Sequence, residues 1–191
     1  MKNLILFLIL TMFCNAVNAQ WEIVSNGQYP SLKAIDFPTE SIGYACGDNF
    51  VLKTLDGGDS WEYIETNYNF SSIAFVSSDI GYASGPNKTI CKTIDGGFTW
   101  SKLNVPNLGE EVIDFKEISF KDEQNGFMAA GTYIVIPDFW IMYAVGYILK
   151  TSNGGLNWSV KNVYYEMNAI NIVKNSNVVF AAGGTFAPIG F

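Results

Sequence analysis

The stretch Thr54-Leu55-Asp56-Gly57-Gly58-Asp59-Ser60-Trp61 occurs three times in this chain with small changes. The later copies are Thr93-Ile94-Asp95-Gly96-Gly97-Phe98-Thr99-Trp100 and Thr151-Ser152-Asn153-Gly154-Gly155-Leu156-Asn157-Trp158. Repetition at a period of about 40 residues indicates supersecondary units that bury their apolar faces only by stacking on neighbours. The repeat therefore predicts an architecture. It says less about function, because such units occur in enzymes, adaptors and scaffolds alike.

Each repeat contains four short segments with strand character. In the first repeat they are Ile35–Phe37, Gly43–Gly47, Val51–Thr54 and Trp61–Ile64. The segments alternate with period two and are separated by glycine turns, and no helical periodicity follows the first residues, so we predict an all-β chain. Four strands in about 40 residues are typical of the blades of a β-propeller.

The first residues differ from the rest and predict a signal peptide at 1–19. An apolar run from Leu4 to Phe13 precedes small residues at Val17 and Ala19, and the run is too short to span a bilayer. Cys14 raises the alternative of a lipoprotein, but Phe13 is bulkier than the usual residue before a lipidation site. We therefore expect an exported chain that is periplasmic, on the cell surface or extracellular.

Residues 20–191 are predicted to form the propeller repeats. The blades are placed at about 31–66, 70–104 and 114–163, with a partial fourth at about 167–191, which gives about 3.5–4 blades. Gln20–Ile23 matches the fourth strand of a blade without the preceding three. The partial fourth blade does not complete a ring, and natural proteins avoid the unpaired strand edges that an unclosed arc leaves. We therefore expect an incomplete propeller, truncated at its C-terminus, rather than a finished four-blade ring.

The composition excludes several classes of function. The chain has no histidine, all eleven of its basic residues are lysines, and its net charge is −7. An acidic surface without arginine argues against nucleic acid or an anionic membrane as partner. Without histidine there is no histidine metal site and no Ser/His or Cys/His nucleophile, and no cysteine cluster has zinc spacing, so we expect no metal, cofactor or catalytic residue. Cys46 and Cys91 either form a disulfide or remain small buried thiols.

The repeated motif resembles the Asp-box, also called the BNR repeat. The wider pattern of Gly-aromatic-Ala, then Leu-Lys-Thr, then Asp-Gly-Gly-x-x-Trp is similar to the photosystem II assembly factor-like branch of BNR propellers, from Trp21 to Gly183. The resemblance implies a β-propeller whose ligand sites lie opposite the Asp-box turns or at the channel mouth. Photosynthetic members are attributed a binding patch of arginines, which this chain does not possess.

The Asp-box residues have a structural explanation. The oxygen of Asp56, Asp95 or Asn153 is expected to accept the backbone N–H two residues on, as in an Asx-turn. The paired glycines allow positive φ, and the tryptophan covers the turn. Asn153 shares the acceptor oxygen but not the charge, which favours hydrogen bonding over acid–base chemistry or metal binding. The predicted structural residues are Asp56, Gly57, Gly58, Trp61, Asp95, Gly96, Gly97, Trp100, Asn153, Gly154, Gly155 and Trp158.

The spacing of the repeats breaks in the third blade. Trp61 and Trp100 are 39 residues apart, whereas Trp100 and Trp158 are 58 apart. The surplus falls in Asn104–Glu111 and after Gly131, both at the blade edge opposite the Asp-box turns. We predict an extended aromatic hairpin, with the Pro-Asp pair at its tip, that either packs on a neighbouring blade and plugs the channel or forms an interaction patch. The candidate binding residues are Tyr133, Phe139, Trp140, Tyr143, Glu110 and Glu111.

The function favoured by these features is a secreted, non-catalytic scaffold that binds a protein or glycan through one face. A first alternative is a fragment of a BNR-type glycoside hydrolase, which needs two facing carboxylates from among Asp36, Glu110, Glu111 and Asp114. The resemblance implies that it is no sialidase, because those enzymes hold their substrate with arginines. A second alternative is a passive repeat module of a larger cell-surface protein.

Overall fold

A computed structural model describes residues 30–109, 113–136, 141–173 and 176–184. Every regular element in these ranges is a β-strand, so the prediction of an all-β chain is confirmed. None of the described segments is a helix with the length and hydropathy needed to cross a membrane. The predicted leader at 1–19 and the strand-like Gln20–Ile23 lie outside the described residues.

Thirteen strands in the described part of the chain form four antiparallel sheets in sequence order. The first sheet contains β1 (Leu32–Asp36), β2 (Gly43–Thr54) and β3 (Glu62–Asn69). The second contains β4 (Ser72–Phe75), β5 (Gly81–Gly85), β6 (Thr89–Thr93) and β7 (Ser101–Lys102). The third contains β8 (Asp114–Phe120), β9 (Gly126–Ile136), β10 (Ile141–Thr151) and β11 (Ser159–Val163), and the fourth contains β12 (Glu166–Ile172) and β13 (Val179–Gly184).

The first sheet has three strands where the sequence predicts four. The first half of β2 pairs with β1, and its second half, from Asp48 onward, pairs with β3. Asn49 lies between the halves with φ of 66°, the left-handed conformation that two-residue hairpin connections require. The two halves of β2 therefore correspond to the separate second and third strands of the other sheets. The connection is too short to interrupt the strand.

The core lies between the faces of successive sheets. Fully buried apolar side chains from the second and third sheets form its largest cluster, which includes Ile90, Phe115, Met128 and Leu149. Burying one such side chain stabilises a fold by about 1.5–3 kcal/mol. These sheets present apolar residues to the neighbour on each side, as blades of a propeller must.

The first strands of successive sheets are joined by side-chain-to-backbone hydrogen bonds. The Phe75 N–H donates to Asp36 Oδ2 at 2.6 Å, and the Ile118 N–H donates to Ser72 Oγ at 3.2 Å. The Ile170 N–H donates to Glu117 Oε2 at 2.8 Å, which ties the fourth sheet to the third. Polar side chains on these strands thus satisfy backbone donors of the next sheet, which would otherwise be costly to bury.

A tyrosine on the second strand also joins each of the first two sheets to the next. Tyr44 stacks on Phe75 with 3.5 Å between ring centroids and donates its hydroxyl to the Ser78 carbonyl at 2.6 Å. Tyr82 repeats both contacts, stacking on Phe120 at 3.5 Å and donating to the Glu123 carbonyl at 2.8 Å. In both cases the ring contact and the hydroxyl bond join one sheet to the next.

The two described cysteines are free, buried thiols, so the second alternative given for them is correct. Both face the core shared by the first two sheets. Burial is the main reason why the pKa of Cys46 and that of Cys91 rise to about 12. At neutral pH these thiols are therefore protonated and behave as small apolar side chains.

Candidate functional site

Each blade has two edges. The Asp-box edge carries the turns between third and fourth strands at residues 55–60, 94–99 and 152–157. The opposite edge, which we call the hairpin edge, carries the connections between second and third strands and those between successive sheets. In antiparallel sheets alternate connections must lie at opposite edges, so the two sets of loops are separated by the length of the strands.

The Asp-box edge has the same geometry in all three repeats. The threonine ending the third strand donates its hydroxyl to the oxygen of Asp56, Asp95 or Asn153 at 2.7–3.0 Å. The first glycine of each pair donates its N–H to a carbonyl in the loop between first and second strands of the same sheet, at 2.8–2.9 Å. Both glycines of each pair have positive φ, between 67° and 103°.

The bond expected for an Asx-turn, from the Gly58 N–H to Asp56, is the weakest of those that lower the pKa of this carboxyl. The N–H two residues after the Asp or Asn, that of Gly58, Gly97 or Gly155, donates to the threonine hydroxyl at 2.9–3.0 Å. The Asp or Asn oxygen instead accepts the N–H four residues on, at 2.9–3.0 Å. The threonine hydroxyl therefore accepts from the second glycine of the pair and donates to the Asp or Asn. It connects the two groups that were expected to bond directly.

Protonation at the Asp-box edge follows these hydrogen bonds. Bonds from the Ser60 side chain and backbone lower the pKa of Asp56 to about 2. For Asp95, partial burial acts to raise the pKa, but hydrogen bonds from Thr99 and Thr93 outweigh it and the pKa is lowered. A carboxylate held ionised by its own turn is a poor general acid. Since Asn153 makes the same two bonds with an amide oxygen, the geometry is that of a structural turn.

The tryptophan of each Asp-box lies over its own turn. Its indole N–H donates to the carbonyl of the second glycine at 3.0–3.1 Å. Its ring also meets a phenylalanine at the end of the first strand edge-on, with interplanar angles of 83–86°. The pairs are Trp61 with Phe37, Trp100 with Phe75, and Trp158 with Phe120.

The hairpin edge of the third sheet projects beyond the others. Strands β9 and β10 pair in unbroken register from Gly126 with Thr151 to Ile136 with Ile141. The extended hairpin is therefore confirmed. Its connecting residues, Phe139 and Trp140 among them, lie outside the described residues, as does the side chain of Tyr143. The register pairs Tyr143 with Ile134 and Tyr133 with Ala144.

Tyr133 connects the base of the hairpin to the fourth sheet. Its hydroxyl is hydrogen-bonded to Glu166, and this bond is the main reason that the pKa of Tyr133 is raised. Lys116 lies 3.3 Å from the Glu166 carboxylate and 3.4 Å from that of Asp114. The side chain of Glu166 is about 10% exposed, so its charge is balanced by an amine and a hydroxyl rather than by water.

The loop before the third sheet packs on that sheet's own third strand. Tyr147 donates its hydroxyl to the Leu108 carbonyl at 2.8 Å, and Leu108 is buried. The Asn87 N–H contacts Asp114 Oδ1 at 3.4 Å, so the neighbouring loop of the second sheet adjoins it. The predicted binding residues Glu110 and Glu111 lie outside the described residues.

Two tyrosines missed by the sequence reasoning lie at the same edge. Tyr164 and Tyr165 connect β11 to β12 and are 89% and 55% exposed. Gly146 of the hairpin runs directly beneath them, and a Cβ there would overlap the Tyr165 carbonyl oxygen. Adjacent tyrosines in a connection between blades are the only signal that the sequence offers. This pair does not change the repeat length, so the spacing that indicates the long hairpin does not mark it.

The carboxylates considered for hydrolysis have other partners where they are described. Asp36 holds the Phe75 N–H, and burial is the main reason that its pKa is raised. Asp114 contacts Lys116 and the Asn87 N–H. Asp36 ends the first strand of the first sheet, and Asp114 begins the first strand of the third. Each carboxylate therefore contacts a neighbouring segment of the fold.

Comparison with known families decides which propellers this one resembles. The model of the family described as photosynthesis system II assembly factor YCF48 matches residues 62–159, just over half of the chain. The chain belongs to this family. The matched segment begins with β3, directly after the first Asp-box, and ends just after the third Asp-box. It therefore includes two of the three motifs.

Two curated relatives are described as photosystem II assembly proteins. The photosystem II assembly lipoprotein Ycf48 of Prochlorococcus marinus is 33% identical over 72 residues, which are 37% of this chain and 21% of that protein. The chloroplastic photosystem II stability/assembly factor HCF136 of Arabidopsis thaliana is 31% identical over 90 residues, 45% of this chain and 19% of that protein. The similar segment thus spans about a fifth of each relative's length.

Solved YCF48 structures share the fold. YCF48 bound to D1 peptide has a TM-score of 0.53 at 23% identity, over 68% of this chain and 40% of that one. YCF48 from Cyanidioschyzon merolae has a TM-score of 0.53 at 20% identity, over 82% of this chain and 57% of that one. At these identities the likeness shows a β-propeller of four-stranded blades. The relatives are named as assembly factors and not as enzymes, in agreement with the expected non-catalytic protein.

Proposed function

We propose that this protein is an exported, non-catalytic β-propeller that binds a segment of a partner protein at the hairpin edge of its third and fourth sheets. The proposed surface consists of the β9–β10 hairpin, with Tyr133, Phe139, Trp140 and Tyr143, and of Tyr164 and Tyr165. Glu110 and Glu111 form its proposed acidic rim, and the twelve Asp-box residues are proposed to have structural roles only.

One observation carries this proposal. The Asp-box edge repeats the same bonds in three sheets, whereas the long hairpin, the connection at 103–109 and the exposed tyrosines all fall at one hairpin edge. Exposed aromatic side chains grouped on a rigid scaffold are typical of protein interaction sites. Strands hold the base of this surface in place, and Tyr133 and Tyr147 hold the hairpin and the loop at fixed positions.

The relatives support a protein as the partner. One solved YCF48 is described as bound to D1 peptide, so a propeller of this fold takes a peptide ligand. The identity of the partner is not carried over, because this chain has no arginine and therefore no arginine patch. Tyrosine rings and an acidic rim favour a peptide with apolar and basic side chains.

Export is part of the proposal and has its own test. The leader pattern at 1–19 supports it, and relatives are described as a lipoprotein and as chloroplastic. Cleavage after Ala19 would leave Gln20 as the first residue, whereas lipidation would leave a modified Cys14. We expect mass spectrometry of the protein recovered from its native host to show Gln20. An intact Met1 on cytoplasmic protein would contradict export.

The binding surface is tested by a pull-down from the native envelope or culture fraction, followed by peptide arrays of the captured protein. We expect Tyr164→Ser with Tyr165→Ser, and separately Phe139→Ser with Trp140→Ser, to reduce capture by at least about tenfold. The matched control replaces exposed leucines of the Asp-box edge, Leu55→Ser with Leu156→Ser, and should leave capture unchanged. If the control variant lost capture to the same degree, or if neither the tyrosine variant nor the hairpin variant lost capture, the partner would bind elsewhere on the protein.

A glycan array separates the protein ligand from a sugar, since exposed tyrosines also stack on sugar rings. Binding of a glycan that disappears with Tyr164→Ser and Tyr165→Ser, together with no captured protein, would replace the proposed partner class. Release of reducing sugar from that glycan would instead favour the hydrolase alternative.

A further inference from the structure

A groove of about 240 Å³ lies between the first and second sheets, on the side of their fourth strands. One wall is residues 65–68 of β3, and the other is residues 98–100, the last three of the second Asp-box. Successive sheets meet along their first strands, β1 against β4 and β4 against β8, so gaps between sheets open on the side of the fourth strands. Every residue of both walls lies within the described range 30–109.

The wall on β3 is a β-bulge. The register of β3 with β2 breaks here, and residues 66–68 stand opposite Asn49 alone. The Thr66 hydroxyl donates to the Tyr68 carbonyl at 3.0 Å and accepts the Tyr68 N–H at 3.4 Å, which fixes the bulge. Bulges redirect the side chains of an edge strand and are common beside functional sites.

Three aromatic residues line the groove, namely Tyr68, Phe98 and Trp100. Two of these rings are held in place by the core. Trp100 donates to the Gly97 carbonyl, and the rings of Tyr68 and Trp100 lie 6.0 and 5.0 Å from that of the buried Phe70. Phe98 is 50% exposed and offers an open ring surface. A ligand that stacks on rings fixed in this way loses little binding energy to ordering them.

The charges around the groove favour a ligand without net charge. Glu65, Asn67 and Thr99 also line it, and the Lys53 amine lies 4.4 Å from the centre of the Phe98 ring. A cation would be repelled by this lysine and an anion by Glu65. An apolar side chain would remove water from the carboxylate and the amide without replacing their hydrogen bonds. A neutral sugar ring presents an apolar C–H face to the aromatic rings and hydroxyls to the polar groups.

The size of the groove suits one ring of a longer chain. Sites for drug-sized ligands are about 300–1,000 Å³, and this groove is smaller. Because it is open on the side of the fourth strands, the remaining units of a polysaccharide can continue into solvent on both sides of the bound ring.

The next gap between sheets shows that the lining, rather than the gap, is particular to this place. A groove of about 160 Å³ lies between the second and third sheets, with walls at 104–106 and 156–158. These walls have the same positions relative to Trp100 and Trp158 as the first groove has relative to Trp61 and Trp100. The places of Thr66, Asn67 and Phe98 are taken there by Val105, Pro106 and Leu156.

We propose that the groove between the first and second sheets binds a neutral sugar unit of a glycan. Phe98 supplies the stacking surface, and Tyr68 and Trp100 form the floor. The Glu65 carboxylate and the Asn67 amide hydrogen-bond to sugar hydroxyls. The protein-binding surface proposed above lies on the third and fourth sheets, so the two proposals are independent of each other.

Phe98 can be replaced without disturbing the turn that carries it. The sixth Asp-box position is occupied in turn by Asp59, Phe98 and Leu156, and it takes part in none of the hydrogen bonds that the three turns share. Phe98→Leu therefore copies the third turn, and Phe98→Asp copies the first. A thermal melt of each variant verifies that the fold is retained.

Titration of the full chain with neutral oligosaccharides, followed by NMR chemical shifts, tests the site. The probes are hexasaccharides of glucose, mannose, galactose and xylose. We expect at least one to bind saturably with a dissociation constant on the order of 1–10 mM, the strength that contacts with one ring supply. Phe98→Tyr should keep this affinity, Phe98→Leu should weaken it about two- to tenfold, and Phe98→Asp should abolish it. Glu65→Ala should weaken it about tenfold.

Leu156→Ser, in the second groove, is the matched control and should leave the affinity for sugar unchanged, as should Tyr164→Ser with Tyr165→Ser. No saturable binding of any probe, or unchanged affinity of both the Phe98→Leu and the Glu65→Ala chains, would overturn the proposal. Loss of sugar binding with the tyrosine variant would place the sugar at the hairpin edge and also overturn it. Tighter binding of N-acetyltryptophanamide than of any sugar, strengthened by Glu65→Ala, would assign the groove to an apolar side chain of a protein instead.

Discussion

The two edges of this propeller differ in how they are built. At the Asp-box edge, an eight-residue stretch makes its own turn, and three copies reproduce its hydrogen bonds within about 0.3 Å. At the hairpin edge, the corresponding connections differ in length in every sheet, from two residues around Asn49 to a hairpin extended to Ile136. Local sequence therefore determines one edge, and contacts between sheets determine the other.

The difference between the two edges indicates where substitutions and insertions are tolerated. The Asp-box turns of the second and third sheets are part of the interface with the preceding sheet, so an alteration of either turn disturbs two sheets. Loops at the hairpin edge are not copies of one turn, and connecting loops in general tolerate changes of length better than the elements they join. We therefore expect mutations of the repeated Asp-box residues to affect stability, and mutations at the hairpin edge to affect binding of the protein partner.

The largest effect is expected from Gly96→Ala compared with Gly109→Ala. Both glycines have positive φ, 70° and 80°, but a Cβ on Gly96 would lie 3.1 Å from the Ser78 carbonyl, whereas Gly109 has open space. Gly96→Ala should cost roughly 2–4 kcal/mol from backbone strain plus crowding. Gly109→Ala, at the hairpin edge, should cost about 1 kcal/mol from strain alone. Urea unfolding of both variants measures the difference, and equal costs would remove the distinction between the edges.

Thr93→Val compared with Thr89→Val sharpens the comparison within one strand. Thr93 is fully buried, accepts the Gly97 N–H at 3.0 Å and donates to Asp95 at 2.8 Å. Valine has the same shape but removes both hydrogen bonds and leaves the buried Gly97 N–H unsatisfied, which should cost about 1–3 kcal/mol. Thr89, at the other end of β6, is partly exposed, and its replacement should change stability by less than about 0.5 kcal/mol. A smaller loss at Thr93 than at Thr89 would show that the relay through threonine does not hold the turn.

The Asp-box edge was predictable because its information is contiguous. The acceptor residues, the paired glycines and the tryptophan of each turn lie within eight positions, and the 58-residue spacing gave the extended hairpin. The main N–H partner of Asp56, that of Ser60, was not predicted because Thr54 is also an acceptor, and the choice between Thr54 and Asp56 for the Gly58 N–H depends on atomic distances.

The hairpin edge was less predictable because its contacts join residues far apart in sequence. Tyr133 meets Glu166, and Tyr147 meets Leu108, across separations that no short pattern encodes. The exposure of Tyr164 and Tyr165 depends on the path of the chain between two sheets. The strand count in the first sheet depended on how tightly the chain turns at Asn49.

A smaller effect is expected from acid. The folded-state pKa of Asp56 is about 2 and that of Asp95 is also lowered, so their stabilisation is complete above the unfolded pKa near 3.8. It is lost as the pH falls through the folded values. Asp56→Asn with Asp95→Asn copies the uncharged third turn, so the melting temperature should change little at pH 7. Its decline between pH 4 and pH 2 should become shallower, as thermal melts at several pH values would show; an unchanged decline would contradict a role for these carboxylates.

The smallest effect on stability is expected at the proposed binding surface. Tyr164 is 89% exposed and its ring contributes little to the core, so Tyr164→Ser should change the free energy of unfolding by less than about 0.5 kcal/mol. A loss above about 2 kcal/mol by urea unfolding would show that this tyrosine stabilises the fold, and the distinction between the two edges would then fail.

The indoles of Trp61, Trp100 and Trp158 occupy equivalent places, each anchored to a glycine carbonyl in its own sheet. Each of the first three sheets thus contains an intrinsic fluorophore that reports its local environment. Variants that keep one of these indoles and carry phenylalanine at the other four tryptophan positions would give an emission signal for a single repeat. Coincident denaturation curves from the three variants would mean that the blades melt as one cooperative unit, and staggered curves would reveal the order in which the array comes apart.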